Sequence, residues 1–289
     1  MTNSIFIGLV THDSSRFPEA RGPHGLTRLL EKELTQQSIV VHAEIHSANH
    51  VDDLDLVLSL SDLQRSIAAE SKVERDWYHF LNPNAHHTTH DLVLIVRRWL
   101  RAAHAYIEGI RDSFALRECR TLERLINIEL AHLHLMQSAV TSDADWVLIL
   151  EDDAHTPDVK SFSSALVGFL AAHKDVDLPK YVNLSQSFDM STLRIDGFLA
   201  PRGQWNTERA LLGSSLPATN TVCAILYRRT FLLDLLDTLI DHPLIPVIPI
   251  DWKVNRALMD LHSDDRIPDY ACWFVDPAPI VQGSMHHQP

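Results

Sequence analysis

Trp146-Val-Leu-Ile-Leu-Glu-Asp-Asp-Ala-His155, WVLILEDDAH, is the stretch on which the reading of this chain turns. Trp146 to Leu150 is a short, continuous apolar run, the pattern of a strand buried on both faces of a parallel sheet. Three adjacent carboxylates, Glu151, Asp152 and Asp153, follow at its C-terminal end. In open α/β sheets ligands gather at such strand ends. Mutual repulsion among the three is costly unless a cation or solvent offsets it. On extended backbone Glu151 and Asp153 point the same way, so their oxygens converge while Asp152 faces elsewhere. Oxygen-only ligation of this kind suits Mg2+ or Mn2+ bridging to a diphosphate. The competing reading is a solvated loop, or the cap of a following helix.

The segments on either side favour an α/β chain. Ile5 to Val10 is a short apolar run with β-branched residues that feeds the polar segment THDSSR, and it reads as a central strand. Gly25 to Leu34 has helical spacing, and Ser38 to Ile45 reads as a second strand, so the chain opens strand, helix, strand in the manner of a parallel sheet. From about Asp52 to Gln137 the period is helical, broken by the loop Leu81 to Thr89. Beyond the motif, Tyr181 to Leu184 and Thr221 to Tyr227 are strand candidates, and Thr230 to Ile240 is an apolar-periodic helix. Pro243, Pro246 and Pro249 then force an extended path into Ile250-Asp251-Trp252, ahead of a further helix running to Leu261. With no internal repeat, residues 1–289 are read as a single domain that carries the 52–137 helical block within it.

Composition excludes several classes. Of 289 residues, 45% are hydrophobic and 22% charged, with no low-complexity tract, so disorder is excluded. Lys plus Arg number 25 against 38 Asp plus Glu, and the formal net charge of -13 argues against a broad grip on nucleic acid. Cys119, Cys223 and Cys272 are scattered and lack CxxC spacing, which indicates neither a disulfide framework nor a thiolate metal site. A reducing cytoplasm is the expected compartment. The start MTNSIFIGLV lacks a cationic region, and the apolar window Leu92 to Val96 stops at Arg97 and Arg98, far short of the roughly 20 residues a bilayer requires.

Other residues could serve a diphosphate chemistry. Arg117, Arg120 and Arg124 recur at helical spacing, and their guanidiniums either bridge to Glu118 and Glu123 or supply forked donors to a leaving diphosphate. Arg120 and Arg124 are the first choices for the second role. Asp251, held by the rigid proline-rich approach, is either a general base for an acceptor hydroxyl or the N-cap of the helix Trp252 to Leu261.

Ile128 to His155, IELAHLHLMQSAVTSDADWVLILEDDAH, resembles the core of glycosyltransferase family 25, the lipooligosaccharide galactosyltransferase type. That family places a Ser-His-Leu helix segment upstream of an aromatic residue and LILEDDA; here the tripeptide is Ala131-His132-Leu133. Weaker similarities follow in family order: Thr11 to Arg16, TVCAILYRRTFLLDLLD, IPIDW and PAPIVQGS. The long helical block before the motif departs from the pattern. The resemblance implies a GT-A fold, a Rossmann-like mixed, mainly parallel sheet flanked by helices, with a helical insertion before the EDD strand. By the same resemblance Asp153 ligates Mn2+ or Mg2+ directly, and Glu151 or Asp152 touches the ribose or binds the metal through water. The resemblance also implies that Thr11, Asp13 and Arg16 border the nucleotide, where the competing reading of THDSSR is an ordinary polar turn, and that His286 completes the metal coordination, where the competing reading is a chance histidine near the chain end. Gln282 and Ser284 are further phosphate or acceptor contacts.

The implied reaction moves a hexose, galactose or glucose, from a UDP-sugar to a hydroxyl of a glycan or glycolipid acceptor, with inversion. A nucleotidyltransferase is one rival, although Gly8, Gly22 and Gly25 form no phosphate loop. A glycoside hydrolase, needing two opposed carboxylates, is a more distant one. The third is a catalytically silent domain whose segment DLVLIVRRWLRAAHAYIEGI binds a partner or the inner face of a membrane. Arg97, Arg98 and Arg101 beside Trp99 either rest on anionic lipid or lie solvated behind an apolar face packed into the core.

Overall fold

Runs of β-branched and aliphatic residues build an eight-stranded sheet in a computed structural model that describes residues 4–11, 20, 22, 25–46, 54, 58–84, 86, 88–111, 114–185, 199–219 and 221–283, the side chains of 105, 106 and 108–121 excepted. Strand β1 (Ser4–Val10) lies between β2 (Val40–His46) and β3 (Trp146–Glu151), parallel to both. Helix α1 (Leu26–Gln36) makes the crossover from β1 to β2. Beyond β3 come β8 (Ala224–Arg228), β5 (Tyr181–Asn183), β9 (Cys272–Asp276), β7 (Ala210–Ser214) and β6 (Leu199–Gln204), in the order β2-β1-β3-β8-β5-β9-β7-β6.

This sheet is mixed, as expected, but it is not mainly parallel, which corrects that part of the expectation. Among the described residues, four of its seven neighbour pairs are antiparallel: β3 with β8, β8 with β5, β9 with β7 and β7 with β6. The physical reason lies in β8. Its residues are buried on both faces, as in a central parallel strand, and that apolar pattern carries no information about direction.

Side-chain alternation sorts the layers. Ile5, Ile7, Leu9, Trp146, Leu148 and Leu150 face α1 and α5 (Val159–Ala172). Phe6, Val10, Val147 and Ile149 face the other way, onto α4 (Phe114–Thr141), α6 (Arg229–Ile240) and α7 (Ile250–Ser263). A Cβ on Gly8 would meet Leu135 Cδ1 and Phe6 Cε1 at 3.2 Å, so the missing side chain is what admits α4 onto β1. Helix α2 (Leu60–Leu81) begins with a capping box in which the Ser59 amide donates to Asp62 Oδ2 at 2.8 Å, and it packs outside α4 and α7. With α3 (Thr88–Arg111) these helices occupy the expected helical block.

Helix α3 reverses one expectation. Leu92, Val93, Ile95, Val96, Trp99 and Leu100 are exposed, Trp99 to 72%. Two arginines instead turn toward α2: Arg97 donates to Glu74 and Arg101 to both oxygens of Glu70, all at 2.9 Å. The cause is a match of spacing. Carboxylates one turn apart on α2 meet guanidiniums one turn apart on α3, and the apolar side is left outward. Among the described residues, no helix is long and apolar enough to cross a membrane.

Candidate active site

The C-terminal edge of the parallel trio collects the functional candidates. In register, Val10 pairs with both His46 and Glu151, so Thr11, the end of β2 and the acidic triplet share one rim. Antiparallel β8 starts at that same rim, because Ala224 pairs with Leu150 and the Glu151 amide donates to the Cys223 carbonyl at 2.8 Å. An isolated cysteine is thereby placed among the carboxylates.

Alternation along β3 continues past Ile149, so Glu151 points to the α4 and α7 side. There His132 Nε2, on α4, lies 3.3 Å from Glu151 Oε1. His132 is buried, and its Nδ1 has no hydrogen-bond partner among the described residues, which favours the tautomer that donates from Nε2. Asp152 and Asp153 are buried in a turn that leads to the short strand β4 (Ala154–His155). Strand β10 (Val281–Gln282) closes over this turn, antiparallel to β4, and the Gly283 amide donates to the Asp153 carbonyl at 2.8 Å.

One donor atom each from Glu151, Asp153 and Cys223 lie within 4.8 Å of one another. Hard divalent ions hold oxygen ligands at about 2.0–2.6 Å, so two carboxylate oxygens at this spacing can share one ion. The donor chemistry therefore fits a divalent cation. Cys223 Sγ donates to Asp153 Oδ1 at 3.6 Å. Burial, then the charges of Glu151 and Asp153, push this thiol well above its ordinary range, so without a cation it stays protonated and acts as a donor.

The approach to Cys223 is fixed by buried amides. Asn183 Nδ2 donates to Thr219 Oγ1 at 2.9 Å and to the Thr221 carbonyl at 3.1 Å. Asn255, on α7, both accepts from the Thr219 amide and donates to its carbonyl at 2.9 Å. The Ser185 hydroxyl accepts from the Ala224 amide at 3.1 Å. A buried network satisfied in this way holds Thr219, Thr221 and the start of β8 in one arrangement.

Asp251 sits in the first turn of α7, whose N-cap is Pro249, so it is not the cap; the proline-rich path enters the helix two residues earlier than the sequence spacing implies. Its Oδ1 accepts from the Trp252 amide at 3.0 Å. Burial, with the charges of Glu151 and Glu70 adding to it, raises its carboxyl from 3.8 to about 7. A carboxyl with that value exchanges protons readily near neutral pH. Two residues on, Lys253 Nζ donates to Glu129 Oε1 at 2.6 Å and Oε2 at 2.7 Å, which bolts α7 to α4 three residues before His132.

The predicted residues divide accordingly. Glu151, Asp152, Asp153, Thr11 and Gln282 meet at the rim, with Gln282 paired to Ala154, and the charge of Glu151 reaches Asp251. Arg124 is not brought there: it is exposed on α4, about 12 Å along the helix axis before His132. Asp13, Arg16, Ser284, His286 and the side chains of Arg117 and Arg120 lie outside the described residues. Sequence spacing signals neither Cys223 as a neighbour of the carboxylates nor a role for His132. Only the antiparallel register of β8 could have signalled the first. No family model matches the chain, and no curated protein matches it.

Proposed function

We propose that this chain is a metal-dependent glycosyltransferase of GT-A type that moves a hexose from a UDP-sugar to a hydroxyl of a glycan or glycolipid. The observation that carries the reading is the convergence of Glu151 and Asp153 at the end of β3; Asp251, whose carboxyl burial raises to about 7 with the charge of Glu151 adding to it, is the candidate base. A bound Mn2+ or Mg2+ would supply Lewis-acid stabilisation of the departing diphosphate. Asp153 and Glu151 would hold it, with His132 beside the Glu151 carboxylate. Asp251 accepts the acceptor proton as the new glycosidic bond forms and the bond from the sugar to the diphosphate breaks, a single displacement that inverts the anomeric centre. Thr11 and Gln282 border the donor from either side of the motif.

The test is release of UDP from a panel of UDP-sugars with Mn2+. Asp153→Ala is expected to abolish turnover while the thermal unfolding curve persists, and unchanged turnover would refute the assignment. Release of pyrophosphate would point instead to a nucleotidyltransferase. The exposed stripe on α3 favours a second reading, in which the domain also rests on a lipid surface through Trp99 and its apolar neighbours. Flotation with vesicles that fails on Trp99→Ser supports that contact.

A further inference from the structure

Beside the carboxylate site, β2 and α4 bring together a second donor group of different chemistry. Glu44 and His46, two apart on β2, project to the same side of the sheet. His134 and Ser138, one turn apart on α4, meet them there. His134 Nε2 lies 3.2 Å from Glu44 Oε1, and Ser138 Oγ donates to that same oxygen at 3.2 Å. The His46 and His134 rings stack at 3.9 Å between centroids and 24° between planes. One ligand atom each from Glu44, His46 and His134 lie within 4.8 Å of one another. The His46 backbone is anchored as well, since its carbonyl accepts from the Thr11 amide at 3.0 Å.

We propose that Glu44, His46 and His134 form a binding site for a borderline transition ion of the zinc class, separate from the carboxylate site. Two imidazole nitrogens and one carboxylate oxygen make a ligand set that zinc takes with an open fourth position for water. Tetrahedral donors about 2.1 Å from an ion lie about 3.4 Å apart, and because the in-plane lone pairs of stacked rings run side by side, binding turns one of the two imidazoles out of the stack and onto the ion. The side chains of Glu44 and His134 are 34% and 45% exposed, so solvent reaches the open position. Ser138 is a positioning residue, holding the carboxylate as outer hydrogen bonds hold metal ligands generally. The end of β2 is separated from β3 by β1, about 10 Å at ordinary strand spacing, so one ion does not span both sites.

Calorimetric titration of the chelator-treated full chain with Zn2+ alone tests this, in an Asp153→Asn background that weakens the carboxylate site. The background chain is expected to take up one Zn2+ that shifts the imidazole NMR signals of His46 and His134. Adding His134→Ala is expected to weaken that uptake by more than tenfold, and adding Ser138→Ala by about tenfold. His134 is partly exposed, and circular dichroism checks that its replacement leaves the fold intact. Zn2+ stoichiometry and affinity that survive His134→Ala in a folded protein would overturn the proposal, as would His46 and His134 signals that stay in place at one equivalent.

Discussion

Replacing Lys253 by methionine strips the only charged partner seen on Glu129 among the described residues and leaves the carboxylate between α4 and α7. The two side chains are 3% and 2% exposed, so water cannot substitute for the lost ammonium. Breaking a buried pair from one side costs about 3–5 kcal/mol. Unfolding entropy of about 2.1 cal/mol/K per residue gives about 0.6 kcal/mol/K for 289 residues, so the expected fall in Tm is about 5–8 °C. Burial already holds the Glu129 carboxyl above its ordinary value, and removing Lys253 raises it further. A group whose folded value is raised is least harmful when protonated in both states, so the deficit should be largest at pH 8 and shrink toward pH 4.5. The companion variant Glu129→Leu with Lys253→Met removes both charges and should recover wild-type stability or exceed it by about 1–4 kcal/mol. Scanning calorimetry across pH decides the matter. A single variant within 2 °C of wild type, or a double variant as unstable as the single, would refute the argument.

In the cation-free protein, Asp251→Asn should be more stable than wild type at pH 8, because the raised carboxyl loses stability as pH climbs from 3.8 through about 7, roughly 4 kcal/mol at most. The advantage should vanish near pH 3.5, and urea midpoints at the two pH values measure it. Gly8→Ala inserts a methyl 3.2 Å from Leu135 and Phe6, and overpacking of about 1–3 kcal/mol outweighs the gain of about 0.5–1 kcal/mol from removing a strand glycine; a raised urea midpoint would contradict it. Cys223→Ser should leave Mn2+ affinity nearly unchanged and weaken Cd2+ binding, since thiolate selects soft ions; competition dialysis reads both.

Long apolar runs made much of this architecture legible. Ile5 to Val10, Trp146 to Leu150 and the helical periods of α2 and α4 announced themselves, because burial on a regular element leaves a periodic trace, whereas the period of α3 marks an apolar stripe that faces outward. The hairpin β6–β7 left none, as Pro201 to Gln204 run along an exposed sheet edge. Helix α5 was hidden by its serines; Ser163 is buried, yet its hydroxyl is satisfied by the Val159 carbonyl at 2.8 Å. At the site, the EDD triplet was legible because three carboxylates in a row demand an explanation wherever they fall. Cys223 and His132 were not, since register and helix placement bring them to Glu151. On α3 the sequence shows arginines and apolar residues interleaved, and only the Glu70 and Glu74 positions on α2 decide which set faces inward.

His132 and His134 leave α4 about 200° apart, one toward β3 and the other toward β2, while Leu135 presses onto Gly8 of the strand between them. The helix is gripped on its two flanks like a key cut along both edges. Any roll about its own axis that tightened one imidazole contact would loosen the other, so these two side chains, which never touch the same carboxylate, add to the buried packing of Leu135 and the Lys253–Glu129 pair in opposing rotation of the rod.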